Sequence, residues 1–212
     1  MTPLPLPDGA LVYDTASKPT PAQYLALAQL PEATRPAAVA RYVGLRGPAP
    51  GDIDAAELQA IHAAGLGVLL VQHCCAPGWR ATPGLGARLG AAALACAQAA
   101  GYAPGCHLAL DLEGCADSGA AVAAEVNGWC EAVRVDHPPL LYCGYAAGLT
   151  PAQEYELACV DRYWGAAGNW GPAVRGVALR QRYPSVVLAG VTWDANAAEA
   201  DALGGRVMVC GP

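Results

Sequence analysis

The stretch HLALDLEGCADSG, His107 to Gly119, places two carboxylates, Asp111 and Glu113, one residue apart at the end of an apolar run. Side chains two apart on a strand point to the same side. If the run is a strand, both acids leave it together. Carboxyl groups crowded in a cleft raise at least one pKa, leaving a protonated acid beside ionised neighbours. Glycoside hydrolysis requires that division of labour. One carboxylic acid protonates the leaving oxygen, while a carboxylate acts as nucleophile, base or stabiliser of the oxocarbenium ion. Only 14% of the residues are charged, so two acids this close stand out from their surroundings. The alternatives are an acid that orients the following loop and a solvated turn at Glu113-Gly114.

The elements that must position these acids alternate between short apolar runs and Ala-rich amphipathic stretches. Strands are expected at Gly9 to Asp14, Ala37 to Val43, Gly67 to Gln72, Cys106 to Glu113, Leu140 to Gly144, Val160 to Ala166, Val177 to Arg182 and Val187 to Trp193. Helices are expected at Thr20 to Leu30, with Pro21 near its first position, and at Ile53 to Ala64, capped by Asp52 or Asp54 and ended by Gly65. Further helices fall at Pro83 to Ala100, Ala120 to Val135 and Pro151 to Leu157. Crossover helices make their strands parallel and buried on both faces, which suits continuous apolar runs such as VLLV. Eight strands in 212 residues without a linker predict one domain over residues 1–212, an α/β chain folded as a single (β/α)₈ TIM-type barrel that is irregular in its last third. An open doubly wound sheet is the alternative.

In a parallel barrel the C-terminal strand ends form the active-site face. Asp14 ends the first strand, Asp111 and Glu113 the fourth, and Asp194 follows the eighth, so four acids are expected at one mouth. Tyr42, Tyr142, Trp164 and Trp193 would supply aromatic surface for sugar there. Arg41, in RYV, could hold a rim carboxylate as a bidentate partner or make an ordinary surface ion pair. Taken singly, Asp14 and Asp194 could each be a helix cap; their repeated placement at strand ends favours a site.

Composition excludes other classes. The net charge is −6 and the 12 basic residues form no run, which argues against nucleic acid as partner. No apolar stretch reaches a membrane span, the Ala-rich segment near Ala87 to Ala100 carrying Arg88 and Gln98. The start, MTPLPLPDGA, lacks the basic and apolar regions of a secretory signal. The expectation is cytoplasmic synthesis, with a virion or release on lysis as the destinations left open. Nine cysteines without a signal read as reduced core thiols. His73-Cys74-Cys75, with Cys106 and His107, matches no zinc spacing, so no metal or other cofactor is assigned. His62 and His137 read as surface or helix-end residues, and His107 as structural.

Across nearly its whole length the chain resembles the glycoside-hydrolase-like barrel domain of mycobacterial and actinobacterial secreted proteins and phages, the DUF1906 group, which is similar to family 25 lysozymes. The resemblance rests on YDT (Tyr13 to Thr15), RYV (Arg41 to Val43), AELQAIHAAGLGVLLV (Ala56 to Val71), LALDLEG (Leu108 to Gly114), LLYCGY (Leu140 to Tyr145), and RQRY followed by GVTWDAN (Gly190 to Asn196). It implies a muramidase-type peptidoglycan hydrolase. Glu113 would be the general acid, Asp111 would assist the substrate's N-acetyl group or stabilise charge, and Asp14 and Asp194 would support the site. Arg41, Tyr42, Tyr142, Trp164, Gln181 and Trp193 would contact substrate. The chain departs from the family pattern at Tyr13, where a Gly is common, at Arg180, in place of a Trp, and at Trp193, where a smaller residue is usual. A non-catalytic glycan-binding barrel or a virion or tail-associated component, with protein partners, is the alternative function. A barrel enzyme using Asp111 and Glu113 as metal ligands is a third.

Overall fold

The computed structural model describes residues 2–166 and 175–212. Its elements run β1 (Pro3–Pro5), β2 (Leu11–Thr15), α1 (Pro21–Ala28), β3 (Ala38–Val43), α2 (Ala55–Ala63), β4 (Gly67–Gln72), α3 (Leu85–Ala100), β5 (Leu108–Leu112), α4 (Ala120–Val133), β6 (Pro139–Cys143), α5 (Pro151–Tyr155), β7 (Arg162–Gly165), β8 (Leu179–Leu188), β9 (Val191–Ala198) and β10 (Met208–Cys210). Strands β2 to β9 pair in chain order and β9 returns to β2, closing an eight-stranded barrel. Closure removes the open-sheet alternative.

The barrel differs from eight parallel strands. β2 to β8 run parallel, whereas β9 is antiparallel to both β8 and β2. Leu188 pairs with Val191 across a two-residue turn, in which Ala189 has φ 51° and Gly190 φ 76°. Two positive φ values at a two-residue loop make a tight hairpin, so no crossover helix separates these strands. The strand expected over Val187 to Trp193 therefore straddles a turn. The connection expected between the sixth and seventh strands falls largely outside the described residues. β1 and β10, which the sequence did not announce, pair antiparallel, and β10 joins β4 through Cys210 and Val68. Leu6, Val207 and Val209 pack into the barrel interior from this end.

Alternation along each strand sorts the core into two layers. Val12, Ala38, Ala40, Val71, Ala109, Leu140, Trp164 and Ala198 form one cluster inside the barrel. Tyr13, Val39, Val68, Leu70, Leu110, Leu141, Tyr163 and Trp193 form the other, under the helices. Outside the barrel, α3 and α4 touch backbone to backbone. A Cβ on Gly86 would meet the Glu125 carbonyl oxygen at 1.9 Å, and one on Gly90 the Trp129 carbonyl oxygen at 2.7 Å. Asp54 caps α2 by accepting from the Glu57 N–H at 2.8 Å. His137, expected at the surface or a helix end, follows the end of α4, its N–H donating to the Val133 carbonyl, and is buried, with Nδ1 3.1 Å from the Cys106 carbonyl oxygen and its ring against Tyr102. His107 is buried and structural, its Nδ1 accepting from the Met208 N–H and its Nε2 facing Asp161, each at 2.8 Å.

Arg41 is fully buried in the outer layer and does not reach the rim acids. Its Nε donates to Glu57 Oε1 at 2.6 Å, Nη2 to the Gly51 carbonyl at 2.9 Å, and Nη1 to the Thr15 carbonyl. The Tyr24 hydroxyl also donates to Glu57. The guanidinium thus ties β3 to α2, to the end of β2 and to the loop after β3. Removing one partner of a buried ion pair strands the other charge. Arg41→Met is expected to destabilise the fold by about 3–5 kcal/mol, measured by urea unfolding; a loss below about 1 kcal/mol, the size of a surface pair, would contradict this role.

Candidate active site

The inward positions at the mouth carry the acids. Asp14 closes the inward row of β2, Asp111 that of β5, and Glu113 follows one residue past the β5 end. Although β9 runs the other way, its register sets Asp194 directly opposite Asp14. One cavity of about 80 Å³ is lined by Asp14, Tyr42, Val71, Asp111, Glu113, Tyr142, Trp164, Gln181 and Asp194. Glu113 and Tyr142 also line an open cleft of about 910 Å³, whose walls include Tyr145, Gln153 and Tyr183. The β8–β9 hairpin supplies one wall of that cleft through Tyr183, which is largely exposed. Eight of the ten residues expected at the mouth thus share one cavity. Arg41 and Trp193 do not. Trp193 is fully buried beneath α1, its ring 6.4 Å from both Tyr13 and Tyr24. Each precedes an inward residue, Tyr42 or Asp194, and strand alternation turns it to the opposite face.

A hydrogen-bonded scaffold fixes the acids. Asn196, two residues beyond Asp194 on the same face, is fully buried. Its Nδ2 donates to Asp14 Oδ2 at 2.7 Å and to the Val12 carbonyl at 3.1 Å, and its Oδ1 accepts from Trp164 Nε1 at 2.8 Å. Tyr42 donates to Asp14 Oδ1 at 3.3 Å, and its ring stacks on His73 at 4.7 Å. Tyr142 donates to Gln181 Oε1 at 2.9 Å and meets Trp164 edge to face. Ser185 donates to Asp194. Trp79 Nε1 holds the Glu113 carbonyl at 2.8 Å. A Cβ on Gly144 would fall 2.3 Å from Glu113 Oε2, so only glycine at 144 leaves room for this carboxyl. Asn196 and Gly144 sit in GVTWDAN and LLYCGY; strand period could have found Asn196, whereas the closeness of Gly144 needs coordinates.

The electrostatics follow from burial without cations. Asp14 is 5% exposed and Asp111 8%. Burial pushes Asp14 up to about 7; the Asn196 and Tyr42 hydrogen bonds oppose this, and the charge of Asp194 adds to it. Burial, then the charges of Glu113 and Asp14, pushes Asp111 up to about 8. Glu113 is half-buried and raised by burial, against hydrogen bonds from Cys74 and the Tyr145 backbone. Among the described residues no ion pair involves any of the four acids. Such a cluster keeps protons at neutral pH and shares them among its members. It can donate a proton at Glu113, which lines both the inner cavity and the cleft, and oppose developing positive charge with the other carboxylates.

Solved structures share this fold at low sequence identity. A protein of B. stearothermophilus aligns over 90% of this chain and 96% of its own, at 18% identity and a TM-score of 0.70. The Mycobacterium tuberculosis Tat-secreted protein Rv2525c, solved with L-tartrate, aligns over 94% and 98%, at 15% identity and 0.64. The bacterial lysozyme from Streptomyces coelicolor aligns over 92% and 94%, at 15% identity and 0.54. No curated protein matches the sequence. Residues 32–170, well over half of the chain, match the family described as Rv2525c-like, glycoside hydrolase-like domain, and the chain belongs to that family.

Proposed function

We propose that this protein is a peptidoglycan hydrolase of muramidase type, acting through the carboxyl groups at the barrel mouth. The observation that carries the reading is the set of raised, cation-free acids around a cavity that shares Glu113 and Tyr142 with an open cleft. Membership in a glycoside hydrolase-like family and a fold shared with a lysozyme support it. The inner cavity, about 80 Å³, has room for a few waters and is too small for a sugar ring. The ring would therefore lie in the outer cleft, with its N-acetyl group reaching inward.

In this reading Glu113 gives its proton to the glycosidic oxygen as the C–O bond breaks. The acetamido oxygen closes on the anomeric carbon, with Asp111 oriented to hold the acetamido N–H. Asp14 and Asp194 oppose the positive charge that develops on the ring. Water then opens the cyclic intermediate, and Glu113 takes the proton back. Tyr42, Tyr142, Trp164 and Gln181 shape the inner wall, while Tyr145 and Tyr183 offer exposed rings to the glycan. No helix among the described residues is long and apolar enough to cross a membrane. Access to the wall on lysis or from a virion completes the proposal.

Three outcomes are expected. Glu113→Gln should lower the rate of digestion of purified peptidoglycan by about 10²–10⁴-fold, with new reducing ends at N-acetylmuramic acid as the readout; an inactive wild-type chain that still binds the glycan would instead favour a non-catalytic barrel. Gly144→Ala keeps every carboxyl but displaces Glu113, and is expected to cut kcat by about tenfold to a hundredfold; full activity would contradict the placement of Glu113. A carboxyl with a raised pKa keeps its proton to higher pH. Burial raises Glu113, so its acid form is kept above the ordinary glutamate range and is lost as pH climbs through its raised pKa. The rate should therefore fall on the alkaline side, and a rate that still rises between about pH 8 and 10 would exclude a carboxylic acid as proton donor.

A further inference from the structure

Cys74 lies just beyond β4, beside the strand end that carries the acids. One ligand atom from each of Cys74, Asp111 and Glu113 lies within 4.8 Å of the other two. An independent feature of the cavity points to a ligand. Asp111, 8% exposed, lines the cavity; Cys74 hydrogen-bonds its carboxyl through thiol and backbone, while Oδ1 is buried with no hydrogen-bond partner. A buried carboxylate oxygen without a donor is costly, and a bound cation relieves that cost more fully than a neutral donor.

We propose that Cys74, Asp111 and Glu113 form a binding site for a borderline-soft divalent cation of the zinc class, with water from the cleft completing the shell. The donor set selects the metal. A thiolate disfavours magnesium and calcium, which take oxygen ligands, and a mixed sulfur and oxygen set suits tetrahedral zinc. Zinc bound to sulfur and carboxylate oxygen spaces its ligands roughly 3.4–3.7 Å apart, from the usual bond lengths. Side-chain rotation that closes the trio by about 1 Å reaches that geometry. His73 stays outside the set, its Nε2 facing Asp52 at 3.2 Å and its ring stacked on Tyr42. Glu113 lines both the inner cavity and the open cleft, so water has access to its carboxyl.

The cation would also reverse the local charge balance. Burial, followed by the charges of Asp111 and Glu113, pushes the Cys74 thiol up to about 12. A dication removes that repulsion and deprotonates a coordinating thiol. Binding therefore releases protons and tightens as pH rises. The site does not depend on the hydrolase reading. If both hold, cation and sugar compete for Asp111 and Glu113, and zinc inhibits.

The test is cobalt titration of the full chain after chelator treatment, followed in absorbance and by displacement with zinc. One equivalent of cobalt should produce a thiolate-to-cobalt charge-transfer band, which zinc abolishes and magnesium leaves in place. Cys74→Ser should lose the band, and Cys75→Ser should keep it. Asp111→Asn should weaken binding at least about tenfold, the lower end of what even outer-shell changes cost. Absence of the band in the wild-type chain, or its persistence in folded Cys74→Ser, would overturn the proposal. Should Cys74→Ser fail to fold, Glu113→Gln serves in its place: a loss of about tenfold or more supports the site and unchanged affinity contradicts it. Because every readout is binding, a chain that cleaves no glycan can still confirm this site, and an active one can still refute it.

Discussion

Strand alternation in a closed barrel is the constraint on which the rest depends. Each residue on β2 to β9 faces either a narrow interior or the layer beneath the helices, and its neighbour must face the other way. The interior takes Val12, Ala38, Ala40, Ala109 and Ala198 because little room exists along the axis. At the mouth the same inward rows continue as Asp14, Tyr42, Asp111, Tyr142 and Asp194. A barrel core and an acidic cavity are thus successive layers of one pattern. β9 shows that register matters more than direction. It runs antiparallel, yet pairing Asp194 with Asp14 still delivers its acid to the rim.

That placement carries a cost in stability. Asp14 and Asp111 are buried without a cation, where ionisation is opposed by desolvation and by each other. Elsewhere the same protein pairs a buried acid with a cation. Glu57 receives Arg41 and Tyr24 in the outer layer and knits β3 to α2. Glu57 is buried with a cation, whereas Asp14 and Asp111 are buried without one. Asn196 restrains Asp14 with a neutral amide rather than a guanidinium, so the carboxyl is positioned without being held ionised. Several carboxyl groups buried together around one cavity without a cation mark a candidate site for chemistry or binding.

Much of this was legible in residue order. Apolar runs alternating with Ala-rich helices gave a barrel, and spacing by two gave the shared direction of Asp111 and Glu113. The errors have physical causes. Arg41 and Trp193, expected at the mouth beside Tyr42 and Asp194, lie outside it, because adjacent strand residues cannot both face it. The hairpin in VVLAGVTW was hidden because Ala189-Gly190 interrupts no apolar run and lacks the Asn-Gly signal of such turns. β1 and β10 are three residues each, too short for a period. Cys74 and Gly144 owe their significance to neighbours across strand ends, which no spacing in the chain encodes.

Chemistry at the mouth depends on carboxyl groups that keep their protons in the folded barrel. Carbon-13 NMR of labelled aspartate side chains, followed through a pH titration, reads them directly. Asp14 and Asp111 should titrate with apparent midpoints near about 7 and about 8, as a coupled pair. Midpoints for both in the ordinary aspartate range, near about 4, would show the mouth to be solvated and its acids ionised, contradicting the claim.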